Sequence, residues 1–223
     1  MKQKKISFEY IFGSIVIFLF AVMSMTLSFN NNIWTDEAFT MQLLGEDFIG
    51  ILRGTAADVH PPLYYLIAKV SQNLFGDSLL VQKFTAIIPT ILTLIVGGHH
   101  VRKKWGDRAF SVFICMLVSS PQLFRYSVQV RMYSWALFFV TMCGIYAFYA
   151  FFSSSKKNWF AVLFFGLAAA YTHYFALVTV CVLYAFLLMF CLFQKREKIK
   201  DWLVLAILSF LLYSPWFLVW INQ

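Results

Sequence analysis

Apolar residues in this chain come in long blocks broken only by short polar stretches, and that pattern limits what it can fold into. A helix crossing a hydrocarbon core needs about 20 mostly apolar residues, because every backbone polar group must be satisfied within the segment. Seven segments meet or approach that length: residues 11–29, 79–101, 109–123, 133–152, 159–171, 174–193 and 202–221. The third and fifth are short. Composition agrees, with 61% hydrophobic and only 13% charged residues, against about a quarter charged in soluble domains. The pattern implies an all-α, polytopic transmembrane helix bundle of about seven spans, forming one membrane domain over residues 1–223.

The formal charge of +8 could suggest a nucleic-acid partner, but its distribution argues otherwise. With the N-terminus in the cytoplasm, 13 basic residues fall inside and 5 outside, the latter being Arg53, Lys69, Lys83, Arg125 and Arg131. Four acids fall inside and six outside, so the sides carry +9 and −1, which together give +8. Short loops obey the positive-inside rule, and the basic excess is a topology signal. Trp34, Trp105, Trp159, Trp202, Trp216 and Trp220 lie near span ends, as an interfacial aromatic belt would place them. The first segment lacks a small-residue cleavage site and is expected to be a retained anchor. Cys115, Cys143, Cys181 and Cys191 lie in apolar spans without CxxC spacing and indicate neither disulfides nor a metal cluster.

The one long region outside the spans, residues 30–78, has helical texture. Thr35 is expected to cap a helix carrying Asp36 and Glu37 in its first turn. Phe39, Leu43, Leu44, Phe48, Ile51 and Leu52 follow at three- and four-residue spacings. A second helix is expected to start at Pro61 or Pro62, with Leu63, Ile67, Val70 and Leu74 on one face and Lys69, Gln72 and Asn73 on the other. Both read as amphipathic helices in the outer interface.

Several side chains on that face could carry chemistry. Asp36 and Glu37 either complement the helix dipole or supply a partly desolvated general base. In Asp58-Val59-His60-Pro61-Pro62, His60 could contact a phosphate oxygen or ligate a metal, with Asp58 supporting either role. Arg131 sits at the mouth of a span, where a cation must snorkel or pair, and its planar fork suits phosphate. His173, between two very apolar helices, is either a helix-end hydrogen-bonding residue or a phosphate contact. His99 and His100 precede a cytoplasmic Arg-Lys-Lys and read as interfacial. There is no Walker loop, GxGxxG, HExxH or GxSxG, which leaves nucleotide-driven and soluble-hydrolase mechanisms without residues.

Five motifs in order carry a resemblance. They are Trp34-Thr35-Asp36-Glu37-Ala38-Phe39, His60-Pro61-Pro62-Leu63-Tyr64-Tyr65, Arg131-Met132-Tyr133, Thr172-His173-Tyr174-Phe175 and Ser214-Pro215-Trp216. Together they resemble the dolichyl-phosphate-mannose-protein mannosyltransferase-like and aminoarabinose transferase-like family, within the GT-C membrane glycosyltransferases. The resemblance implies a polyprenyl-phosphate-sugar donor and an inverting transfer on the extracytoplasmic face of the cell membrane. The acceptor would be a lipid, glycan or protein, as in cell-envelope glycosylation. It also implies catalytic Asp36 and Glu37, and phosphate-binding His60, Arg131 and His173, with Asp58, Tyr64 and Tyr133 in support. No cofactor is demanded; for a divalent metal, Glu37, Asp58 and His60 are the candidate ligands. Family members continue with further spans, so the chain is expected to be C-terminally truncated relative to them. The expected partners are the donor, the acceptor and membrane lipids, with no nucleic acid. The alternative is a non-catalytic protein that binds or translocates a polyprenyl lipid. A secondary transporter is disfavoured, because its ionisable groups would sit near the bilayer midplane.

Overall fold

A computed structural model describes residues 7–223; Lys2, Lys4 and Lys5, counted above in the cytoplasmic charge, lie outside the described residues. Among the described residues every regular element is helical. The long helices are α1 (Phe8–Ser28), α5 (Leu79–Leu92) running through a π-turn at Thr93–Gly97 into α6 (Gly98–Val118), α8 (Tyr133–Phe152), α10 (Tyr174–Gln194) and α11 (Ile199–Ile221). Shorter ones are α2 (Thr35–Leu43), α3 (Phe48–Ala56), α4 (Leu63–Phe75), α7 (Pro121–Ser127) and α9 (Lys156–Ala170). The sequence suggested seven segments, but among the described residues five helices are long and apolar enough to cross a membrane: Phe8–Ser28, Leu79–Val118, Tyr133–Phe152, Tyr174–Gln194 and Arg196–Ile221. The difference has two sources. With 15 residues, α9 is only about 22 Å long. The second and third segments run together, and the third ends at Val118, with a separate short helix from Pro121.

That 40-residue stretch is not straight. Gly106 adopts φ 87° and ψ −178°, a conformation essentially closed to residues with a Cβ, and the chain doubles back there. A Cβ built on Gly98 would lie 2.8 Å from the Phe110 ring and 3.2 Å from Ile114, a proximity that an unbroken helix forbids. Pro89 is accommodated one turn before the π-turn, where the Thr93 hydroxyl donates to the Pro89 carbonyl at 2.8 Å.

The main core lies between α8, α9, α10 and α11, around Phe139, Cys143, Val162, Val180 and Leu205. Outward, Phe18, Phe175, Val178, Phe193, Phe210 and Leu218 are exposed, an apolar surface that suits lipid and not water. Of the tryptophans expected in an interfacial belt, Trp34, Trp105 and Trp220 are exposed, but Trp159 and Trp216 are buried in the bundle.

Hydrogen bonds gather the polar segments at two ends. At one, Ser7 and Arg102 both donate to Asp107, Lys156 meets Asp201, and Lys198 donates to the Ala150 and Ser153 carbonyls. At the other, Lys83 donates to the Asn30 carbonyl, the Leu63 N–H to the Tyr171 carbonyl at 2.9 Å, and Gln223 to the Thr55 carbonyl at 3.0 Å.

The 30–78 region forms three helices, not two. Trp34 and not Thr35 is the N-cap of α2, and Gly45-Glu46-Asp47 interrupts the expected continuation, with Asp47 capping α3 through the Gly50 N–H at 2.6 Å. Pro62 is the cap of α4, which starts at Leu63. The buried face of α4 is Tyr64, Tyr65 and Ala68, set against α2 and α3, while Val70 and Leu74 are exposed. Lys69, expected on a solvated face, donates to the Leu44 carbonyl at 2.7 Å and closes the end of α2. Burial of α4 between α2–α3 and the bundle displaces the stripe expected for a helix lying alone on the interface.

No Cβ at Gly106 would meet a neighbour, so Gly106→Ala isolates the backbone cost. Thermal unfolding in detergent should show a loss of about 1–3 kcal/mol with no change in helix content.

Candidate functional site

Arg131 lies in the turn between α7 and α8 and is 3% exposed. Its Nη1 donates to the Asp36 carbonyl at 3.2 Å, the Tyr65 hydroxyl at 3.3 Å and the Thr40 hydroxyl at 3.5 Å. Its Nη2 faces His60 Nε2 at 3.2 Å, and its Nε has no partner. His60 Nδ1 meets Asp58 Oδ2 at 2.8 Å. Because Asp58 can only accept and Arg131 can only donate, this pattern assigns the His60 proton to Nδ1. Among the described residues no carboxylate pairs with the guanidinium. A buried cation held only by neutral groups is costly, and it leaves a positive potential for an anion to fill.

Two devices hold this arrangement. Glu37, 2% exposed, accepts the Trp34 N–H at 2.8 Å through Oε2 and the Val130 N–H at 2.8 Å through Oε1, clamping the start of α2 to the residue before Arg131. The Leu63–Tyr171 backbone bond ties the His60-Pro61-Pro62 segment to the Thr172-His173 turn. His173 therefore stands close by, its ring 5.9 Å from that of His60 and 5.8 Å from that of Tyr133. It caps α10, its Nδ1 accepting the Phe175 N–H at 3.0 Å, so the ring proton is on Nε2. Burial, reinforced by the nearby Arg131 charge, pushes the His173 pKa down to about 4.

The expected residues thus fall into distinct roles. Asp58, His60, Arg131 and His173 come together, with Tyr133 against His173. Of the acidic pair, Glu37 has both oxygens committed to backbone donors, whereas the Asp36 side chain is exposed, without a hydrogen bond or ion pair among the described residues, on the residue whose carbonyl holds Arg131. Tyr64 is fully buried with an unpartnered hydroxyl; its neighbour Tyr65 reaches Arg131 instead. Burial raises the phenol pKa of both tyrosines. Tyr65 and Thr40 are the residues missed in the sequence. The helical spacing of Thr40, four residues after Asp36, was the available signal. Arg125 stacks over the Trp34 ring at 5.0 Å, and His100 meets the Tyr149 hydroxyl at 3.2 Å near the opposite end.

For a metal the fit is poor. No three His, Cys, Asp or Glu side chains gather among the described residues. Of the candidate ligands, Glu37 already accepts a backbone N–H at each oxygen and His60 Nε2 faces a guanidinium.

Two cavities have linings that include residues close in sequence to the cluster. A cleft of about 840 Å³ runs between α3, α4, α8, α9 and α11, lined by apolar side chains such as Leu52, Leu66, Phe139 and Val219. Pro62 and Tyr171, each two residues along the chain from His60 and His173, line it, and Arg53 is the one charged side chain in its lining. A smaller cavity of about 280 Å³ lies against Thr90, Gln122, Tyr126 and Tyr133.

Comparison with known proteins found no matching family model, no matching curated protein and no matching solved structure.

Glu37→Gln should destabilise the chain by about 1–3 kcal/mol, because an amide can accept only one of the two N–H bonds. Asp36→Asn should change thermal stability by less than about 0.5 kcal/mol. His173 supplies a pH test. Between pH 6.5 and about 4 the unfolded chain binds a proton that the folded one does not, so its contribution weakens stability as pH falls through that window. A melting curve in detergent should drop over that range, and less steeply in His173→Asn, which keeps a capping side chain.

Proposed function

We propose that this chain is an integral membrane glycosyltransferase of the GT-C type. It moves a sugar from a polyprenyl-phosphate-linked donor to an acceptor hydroxyl or amine at the extracytoplasmic face. The observation that carries the reading is Arg131, a buried guanidinium without a carboxylate partner among the described residues, held by the backbone carbonyl of Asp36, whose own side chain is exposed. The apolar cleft supports it, lined by Pro62 and Tyr171, each two residues along the chain from His60 and His173, since a prenyl chain needs an apolar channel. The five motifs resembling the mannosyltransferase-like family support it further.

In this mechanism the acceptor oxygen or nitrogen attacks the anomeric carbon from the face opposite the phosphate. The anomeric C–O bond breaks, its electron pair goes to the phosphate oxygen, and configuration inverts. Asp36 accepts the acceptor's proton. Arg131 and the His173 Nε2–H offset charge on the leaving phosphate, the kind of preorganised stabilisation that contributes most to such steps. His60 acts by holding Arg131, with Asp58 fixing its tautomer. Glu37 acts as the clamp. The charge asymmetry of +9 against −1 supports seven crossings with the N-terminus in the cytoplasm and the Arg131 end outside. On this reading the chain reverses at Gly106, and α9 crosses as a short span packed inside the bundle.

The test is turnover of a polyprenyl-phosphate sugar by the reconstituted chain with a hydroxyl or amine acceptor. Asp36→Asn should lower transfer by about 10²–10⁴-fold while membrane insertion and donor binding persist. Undiminished transfer would remove Asp36 as the base. If the native chain binds donor saturably, loses binding in Arg131→Ala and Arg131→Lys, and releases no sugar, the non-catalytic lipid-binding alternative holds instead.

A further inference from the structure

The end of the bundle away from Arg131 carries ten cationic side chains among the described residues, against the four carboxylates Glu9, Asp107, Glu197 and Asp201. Three of those carboxylates are engaged: Glu9 with Arg108, Asp107 with Arg102 and Ser7, and Asp201 with Lys156. Two of the cations are held differently. Lys104 of α6 lies 5.4 Å from the Phe148 ring and 5.5 Å from the Phe152 ring. Lys195, at the end of α10, lies 5.1 Å from Phe151 and 5.4 Å from Phe152. Neither has a carboxylate partner among the described residues. Two ammonium groups from separate helices therefore share one ring, Phe152, which is itself 56% exposed.

These lysines are not needed to finish α8. Lys198 already donates to the Ala150 and Ser153 carbonyls at its last turn. Exposed cation–π contacts are weak and would not by themselves hold two like charges beside one ring. Trp105, tilted against Phe148 with ring centroids 5.0 Å apart and 55% exposed, extends the aromatic platform. Paired cations over exposed rings at the ends of apolar helices match a ligand that is anionic at its head and apolar below.

We propose that Lys104, Lys195 and the Phe148–Phe152–Trp105 platform form a binding site for the phosphate headgroup of an anionic phospholipid. The phosphodiester sits between the two ammonium groups, and its glycerol and upper acyl chains lie on the exposed rings. The site is independent of the glycosyltransferase reading.

Native mass spectrometry of the full chain in neutral detergent, titrated with phosphatidylglycerol or phosphatidylcholine, tests it. The native chain should retain phosphatidylglycerol preferentially. A Lys104→Ala/Lys195→Ala variant should lose on the order of thirty-fold in that affinity, to the phosphatidylcholine level. A charge-matched control, Lys103→Ala/Lys200→Ala, should lose about twofold or less. Phe152→Leu keeps both lysines and should weaken retention with little effect on melting, which guards against a folding defect in the double variant. Equal losses in variant and control, or equal retention of the two lipids, would overturn the proposal in favour of a diffuse charge effect. Displacement by glycerol phosphate as effective as by the lipid would overturn it in favour of a soluble anion.

Discussion

One buried guanidinium organises one end of this helical bundle. Arg131 is almost wholly removed from solvent, yet everything it touches is neutral: a carbonyl, two hydroxyls and an imidazole nitrogen. Placing a carboxylate there would have neutralised it. Asp58 is instead kept one ring away, behind His60. The cost of that arrangement is met by the surrounding backbone geometry, and its result is an unspent positive charge at the edge of a membrane-embedded bundle.

The supporting structure is made of backbone hydrogen bonds and not of opposed charges. Glu37 ties α2 to the turn that carries Arg131, and the Leu63–Tyr171 bond ties the two histidine-bearing segments together. Both bonds cross between segments far apart in the chain. A hydrocarbon surrounding makes such links effective, since a backbone donor left unpaired there has no water to turn to. The same logic explains Lys69, Lys83 and Lys198, cations that end on main-chain carbonyls in place of solvent.

Much of the architecture was legible in the primary structure, and the reason is the coarseness of the signal. Apolar blocks of span length survive any detail of packing, and so does the segregation of lysine and arginine to alternate loops. The proline pair before α4 and the acidic first turn of α2 were readable for the same local reasons. The failures were tertiary. The continuous helix expected from Thr35 to Leu52 broke because Gly45 and Asp47 favour a turn with a new cap. The stripe expected on α4 lost its meaning once α4 was enclosed on two sides, and Trp159 and Trp216 became core because α9 and α11 pack against their neighbours.

At the site the division is equally clear. Sequence order and residue type were enough to put Asp36, Glu37, Asp58, His60, Arg131 and His173 on one face of the bundle. They could not separate Asp36 from Glu37, because adjacent residues on a helix point about 100° apart and only the fold says which direction is inward. They could not choose Tyr65 over Tyr64 for the same reason. Composition and periodicity determined that the chain is a helical bundle suited to a bilayer, with its polar side chains gathered toward the ends. Only tertiary packing decided which carboxylate is a clamp and which is free, and left the guanidinium without a counter-charge.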